Sequence, residues 1–269
     1  MMLAKITSAA NPTIKMLKSL HAKKARQETG LFLAEGARLA IEAADLDILP
    51  AVLAVAPAAL ERGQTRALIE RVSAQGGRCI ETTEAILTQI TRRDNPQAVI
   101  GAYRQTYAPL DAPFARGDIV IALEGVRDPG NLGAIVRTAD AMGAGGVALI
   151  GPTCDPFSVE CVRATMGSIF ALPIARAEFA AFDAARRAHG FSMIGASLAG
   201  TQGLDAAPAG KIVALMGNEQ SGLPEAMEQA CDALVKLPMR GRADSLNLAI
   251  ATAITAYDLW RRRDYDGAR

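Results

Sequence analysis

The sequence predicts an α/β protein of two domains, and three observations carry that reading. Short apolar runs alternate with helix-period patterns along the chain. Residues Tyr107 to Gly117, with Pro109 and Pro113, break both periodicities, so 109–117 is expected to be a linker between domains at 1–108 and 118–269. Half of the 269 residues are hydrophobic, enough to fill two cores.

The elements follow in order. Asn11-Pro12 opens a helix, asparagine as cap and proline at the first position, with Ile14, Leu17 and Leu20 facing inward. Apolar runs at Leu31 to Ala34, Ala51 to Ala56 and Ala98 to Tyr103 are strands; helices are expected at Gly36 to Ala44, Ala58 to Ala74 and Thr83 to Arg92. Beyond the break, strand Ile119 to Leu123, helix Asn131 to Met142 and strand Val147 to Ile150 make a right-handed βαβ unit. Helical patterns at Ser158 to Gly167 and Glu178 to His189, and strands at Phe191 to Ala196, Lys211 to Met216 and Ala233 to Leu237, continue the alternation. A terminal helix is expected to bury Leu246, Ile250, Ala253, Tyr257 and Trp260 on one face, with Ser245 as its N-cap and Arg261 to Arg263 at its negative end.

Composition excludes several classes of function. No apolar run is long enough to span a bilayer and the N-terminus lacks a signal peptide's apolar stretch, so a soluble, cytoplasmic protein is expected. The cysteines, Cys79, Cys154, Cys161 and Cys231, lie far apart and the histidines are only His21 and His189, which disfavours a metal site or a Cys/His nucleophile. The formal net charge of +1 hides an asymmetry: residues 1–108 carry 14 Lys/Arg against 10 Asp/Glu, the remainder 15 against 18. The first 26 residues hold Lys5, Lys15, Lys18, Lys23, Lys24 and Arg26 and no acid. That is either a solvated basic face or a place for RNA to dock.

Three polar loops gather at strand ends. In DPGNLGAIVRTA, Arg137 is expected to lean back over Gly133, four residues earlier, toward open amides of the helix's first turn, with Asn131 as cap or ligand to a hydroxyl. MGNEQSGL, residues 216 to 223, has Gly217 and Gly222 for close backbone approach and Glu219 as a carboxylate in a polar turn. RGRADSLN, residues 240 to 247, adds Ser245 and Asn247. Each alone is compatible with a mere capped turn; together they point to one composite site. A dinucleotide fold is disfavoured because no G-x-G-x-x-G follows a first strand, and a P-loop is missing.

These three motifs, DPGNLGAIVRTA, IVALMGNEQSGL and LPMRGRADSLNLAIA, resemble in order and spacing those of the SpoU class of SPOUT RNA methyltransferases. CVRATMGSIFALPI is similar to the family's segment between the first two motifs, while NPTIKMLKSLHAKKAR with GLFLAEGARL resembles its accessory RNA-binding domain of L30e-like fold. The resemblance implies a C-terminal SPOUT-type parallel sheet with a deep trefoil knot, a homodimer, and transfer of a methyl group from S-adenosylmethionine to a ribose 2′-hydroxyl of structured RNA, ribosomal before tRNA. By position it implies Met216, Gly217, Asn218, Leu237, Met239 and Leu246 at the cofactor, and Asn131, Arg137, Glu219, Ser245 and Asn247 as the catalytic and RNA-positioning set. Lys15, Lys18, Lys23, Lys24 and Arg26 become the RNA-binding side chains. Gln220 departs from the family's usual glycine. A non-catalytic RNA-binding relative and a nucleotide-binding oxidoreductase are the alternatives from other classes.

Overall fold

The computed structural model describes residues 3–268. They form two compact units, one of residues 3–106 with Phe157–Phe170, the other of Tyr107–Pro156 with residues 171–268.

The chain runs β1 (Ala4–Ile6), α1 (Pro12–Ser19), α2 (Lys23–Thr29), β2 (Leu31–Glu35), α3 (Ala37–Asp45), β3 (Val52–Val55), α4 (Pro57–Leu60), α5 (Gly63–Ala74), β4 (Arg78–Thr82), α6 (Glu84–Thr91) and β5 (Val99–Arg104). These strands make a mixed sheet in the order β1-β4-β3-β5-β2. Asn11 caps α1 through Thr13 N, and Ile14, Leu17 and Leu20 are fully buried, as the sequence pattern requires. The single helix expected at 58–74 is two, α4 and α5, and β1, β4 and α2 are additions that the apolar pattern did not signal.

In the second stretch come α7 (Ala112–Arg116), β6 (Ile119–Glu124), α8 (Pro129–Ala141), β7 (Gly146–Ile150), α9 (Val159–Thr165), α10 (Ser168–Ala171), β8 (Ile174–Ala177), α11 (Phe179–Ala188), β9 (Ser192–Ala196), β10 (Ile212–Met216), α12 (Glu225–Ala230), β11 (Ala233–Val235) and α13 (Leu248–Arg261). The second unit has a six-stranded, all-parallel sheet ordered β11-β9-β10-β6-β7-β8. β6, β7 and β10 are almost wholly buried, which is why they read as continuous apolar runs.

Three local expectations are corrected. Tyr107 to Gly117 is not a bare linker: it carries α7, whose Phe114 is buried against Phe182 and Phe191. Proline sits where it can start a helix rather than break one. The helix predicted near 158–167 belongs to the first unit, where Phe157 and Phe170 pack on Phe32 and Arg163 donates to Glu35. α13 is capped by Asn247, whose Oδ1 accepts from Ala249 N (2.8 Å) and Ile250 N (3.3 Å), not by Ser245.

α13 also buries the face opposite to the one expected. Leu248, Ala249, Thr252, Thr255, Ala256 and Leu259 are buried, on a helix that packs against α8, β6 and β10, while Ile250 and Tyr257 are 52% and 45% exposed. The helix has two apolar strips, and the strip of small residues is the one that lets its backbone approach the sheet. Past its end, Arg262 donates to the carbonyls of Leu204 (2.7 Å) and Ala207 (2.9 Å), so it ties down a loop rather than facing the helix's own negative pole.

Candidate active site

The strand order of the second unit reverses between β6 and β10: β7 and β8 lie outward of one, β9 and β11 outward of the other. At such a switch point the departing loops diverge and leave a crevice at the carboxyl ends of the strands. The strands end level there, Met216 pairing with Leu123 and with Ala196. The DPGN loop leaves β6, the MGNEQSGL loop leaves β10, and the RGRADSLN loop runs into α13, which lies against α8.

Hydrogen bonds join the three loops in series. Glu219 accepts from the backbone N–H of Arg127 (3.3 Å) and Asp128 (3.4 Å) and from Asn131 Nδ2 (3.3 Å). Asn131 Oδ1 accepts from Asn247 Nδ2 (2.9 Å), and Asn247 in turn caps α13. Asn218, only 7% exposed, donates to Gly125 O (2.6 Å) and accepts from Gln220 N (2.9 Å), pinning the second loop both to itself and to the first. Gly217 has no room for a Cβ, which would lie 2.3 Å from Gly222 C; the close approach that needs glycine is the loop's own backbone.

Two carboxylates of the chain itself already stand at the start of α8. Asp128 caps the helix by accepting from Asn131 N (2.6 Å), and the Glu219 carboxylate takes the two preceding N–H groups. Negative charge from within the chain therefore sits at the positive end of α8.

A cavity of about 650 Å³ lies against this network. All six residues expected at the cofactor (Met216, Gly217, Asn218, Leu237, Met239 and Leu246) line it, as do Asn131, Glu219, Ser245 and Asn247. Arg137 does not: it is exposed, its side chain makes no hydrogen bond or ion pair among the described residues, and Glu219 is engaged elsewhere. Sequence motifs gave no hint of Ser197 and Glu228, which also line the cavity and share a hydrogen bond (Ser197 Oγ to Glu228 Oε1, 2.6 Å). Only the parallel pairing of β9 with β10 brings Ser197 there.

Cys154 stays a neutral thiol, its pKa pushed up to about 12 by burial and then by the carboxylates of Glu219, Asp128 and Asp155. A thiolate nucleophile beside this network is thereby disfavoured. In the first unit, Lys15, Lys23 and Lys24 are exposed and Lys18 donates to Gln89 (3.0 Å). Arg26 is a correction: it is 3% exposed and donates to the carbonyls of Leu20 and His21 (both 2.9 Å), so it holds α1 to α2 instead of offering charge to RNA.

Family matches cover both parts of the chain. Residues 11–101 match the MRM3-like substrate binding domain. The chain is 32% identical to 23S rRNA (guanosine(2553)-2′-O)-methyltransferase RlmP of Bacillus subtilis over 94% of this chain and 98% of that one. The crystal structure of AdoMet-bound rRNA methyltransferase from Sinorhizobium meliloti is 45% identical and superposes with a TM-score of 0.90, covering 97% and 98% of the two chains. The SpoU methyltransferase AviRb from Streptomyces viridochromogenes, at 27% identity and 95% and 98% coverage, gives 0.84. Residues 118–257 match the SpoU rRNA Methylase family, a span that opens just before β6, closes on α13 and takes in all three loops; this chain belongs to that family.

Proposed function

We propose that this protein transfers a methyl group from S-adenosylmethionine to a ribose 2′-hydroxyl of 23S ribosomal RNA. The observation that carries it is the convergence of Asn131, Glu219, Ser245 and Asn247 on the cavity lined by Met216, Leu237, Met239 and Leu246. RlmP and AviRb supply the substrate class: RlmP is by its name a 23S rRNA 2′-O-methyltransferase, and a structure of AviRb carries AdoMet.

The cavity fits the cofactor. Its volume is within the range of small-molecule sites. The apolar side chains of Met216, Leu223, Leu237 and Leu246 suit the base and carbon chain, while the Glu219 and Glu228 carboxylates suit a cationic molecule. The bound cofactor supplies an electrophilic methyl on a sulfonium. What remains for the protein is to hold a poorly nucleophilic hydroxyl in line and to stabilise the oxygen as its proton leaves. Asn131, locked to Glu219, and Asn247, locked to Asn131, fix the floor on which the ribose is placed. Ser245, exposed at the rim, offers a hydroxyl to it.

Arg137 faces the RNA. A guanidinium is always protonated, so its part is to clamp a phosphate and stabilise the developing alkoxide rather than to act as a base. We place the protein in the cytoplasm as a homodimer with a knotted C-terminal segment. The exposed strip of Ile250, Ile254 and Tyr257 on α13 supports the dimer, since contiguous apolar surface of this kind marks a contact. Lys15, Lys18, Lys23 and Lys24 add RNA affinity from the first unit. The test is methyl transfer from labelled S-adenosylmethionine to protein-free 23S rRNA and to tRNA, with mapping of the modified ribose. Label on tRNA alone refutes the substrate; cofactor and RNA binding without transfer refutes the enzyme.

A further inference from the structure

The expected RNA contacts of the first unit are the lysines of α1 and α2, yet a second group of cations is assembled there by tertiary structure. Arg163, brought to the first unit by α9, donates Nε (3.1 Å) and Nη2 (2.6 Å) to Glu35 Oε1, and Nη2 also to Thr91 O (2.8 Å). The Glu35 side chain is 4% exposed and its Oε2 has no hydrogen-bond partner. Arg93 stands 3.8 Å from Oε2, beyond hydrogen-bond length, and its side chain is half exposed.

Arg92 stands beside them. It is exposed, its side chain takes part in no hydrogen bond or ion pair among the described residues, and it ends α6 in the left-handed conformation (φ 57°), its backbone N–H donating to Thr88 O (2.8 Å). A side chain there is strained where glycine would be free. His21, hydrogen-bonded to Ile90 O (2.7 Å), lies within reach of both Arg92 and Arg163, which help to hold its pKa below the ordinary value after burial itself. Lys18 on α1 is tied to Gln89 on α6. Glu35 is the carboxylate held by this group, already engaged by Arg163, while Asp94 follows Arg93 in sequence and is exposed.

The geometry points to an anion site at the junction of α1, α6 and α9 in which Arg92, Arg93 and the remaining Nη1 of Arg163 grip phosphates of the substrate RNA backbone. This rests on the RNA-methyltransferase reading above. Phosphodiester is the fitting class because guanidinium forks match its paired oxygens and its charge is met by the excess of cations here. Glu35 is then the positioning residue: buried and short of hydrogen bonds, it gathers Arg163 and Arg93 on one side of the sheet edge. Arg92 has no internal work, which leaves it for the ligand.

The experiment measures binding of 23S rRNA fragments by the full-length protein across a salt series, alongside calorimetric S-adenosylmethionine binding and a thermal melt. Arg92→Ala/Arg93→Ala is expected to weaken RNA binding by on the order of tenfold and to make the salt dependence shallower by about 1.5 in log–log slope, from roughly 0.7 to 0.9 per lost phosphate contact. Cofactor binding and melting stay as in the parent. Arg92→Glu/Arg93→Glu loses more, and Arg92→Lys/Arg93→Lys keeps the slope. Unchanged affinity and slope in the Ala and Glu pairs, while the parent protein binds and methylates rRNA, overturns this site and leaves the enzyme reading standing. If the parent binds no RNA, both fall. Inorganic phosphate competing as well as RNA fragments do would make it a small-anion site and overturn the RNA assignment.

Discussion

Asn131 and Arg137 sit on the same helix, α8, and their circumstances are opposite. Asn131, in the first turn, is held on both sides by Glu219 and Asn247. Arg137, less than two turns on, is exposed and touches no polar partner among the described residues. The first is a part whose position the protein has fixed; the second is a charge that the protein has left to whatever binds. A paired polar group reports mainly on the geometry of the loops, whereas an unpaired one reports on the ligand.

The sharpest way to break that contrast is at Arg137. Arg137→Ala is expected to cost on the order of a hundredfold or more in single-turnover methyl transfer, by analogy with loss of an oxyanion donor, with cofactor affinity and melting temperature unchanged. Arg137→Lys should recover only part, because an ammonium lacks the planar fork. A parallel loss of cofactor affinity would show that Arg137 is not the free charge described here.

The paired end should behave differently. Asn247→Ala removes the cap of α13 and the bond to Asn131 together, and is expected to cost about 1 kcal/mol of stability from the cap alone. Because Leu246 and Leu248 line the cavity on either side of it, cofactor affinity should fall as well, by roughly five- to tenfold for a loss of that size. Calorimetry and denaturant melts check both; a variant that loses turnover alone would move Asn247 to Arg137's side of the comparison.

Between those effects lies the exposed strip of α13. Ile254→Lys, at a position 44% exposed, leaves the chain folded and should raise the dimer dissociation constant about tenfold, read by sedimentation or light scattering. A monomeric parent protein would remove the premise.

The smallest effect expected is at His21. Burial, helped by Arg92 and Arg163, lowers its pKa despite the Ile90 carbonyl and Glu35, which raise it. A depressed folded-state value means that the unfolded chain takes up the proton first, so stability present above about pH 6.5 is lost as pH falls through the lower folded value. Melting temperature should therefore drop on acidification, and His21→Gln should flatten that part of the profile.

Much of the site is legible in the amino-acid sequence because its residues are set by local chemistry. Glycine at 217 and 222, the Asn11-Pro12 helix start and the buried runs of β6 and β10 each follow from backbone freedom or from the period of a strand, and the three motifs carry the cofactor-lining residues in linear order. Where two local answers are equally good, the sequence pattern chooses wrongly. Ser245 and Asn247 are both good caps, and α13 carries two apolar strips of which packing against the sheet selects the one with small side chains. Which cations are free is beyond its reach: Arg26 and Arg137 look alike in one dimension, but one satisfies buried carbonyls and the other faces outward. The same holds for Phe157–Phe170, whose apolar side chains fix that it must be buried but not in which unit. Pairing, burial and the choice between equivalent partners depend on long-range contacts, and those exist only once the sheets have formed.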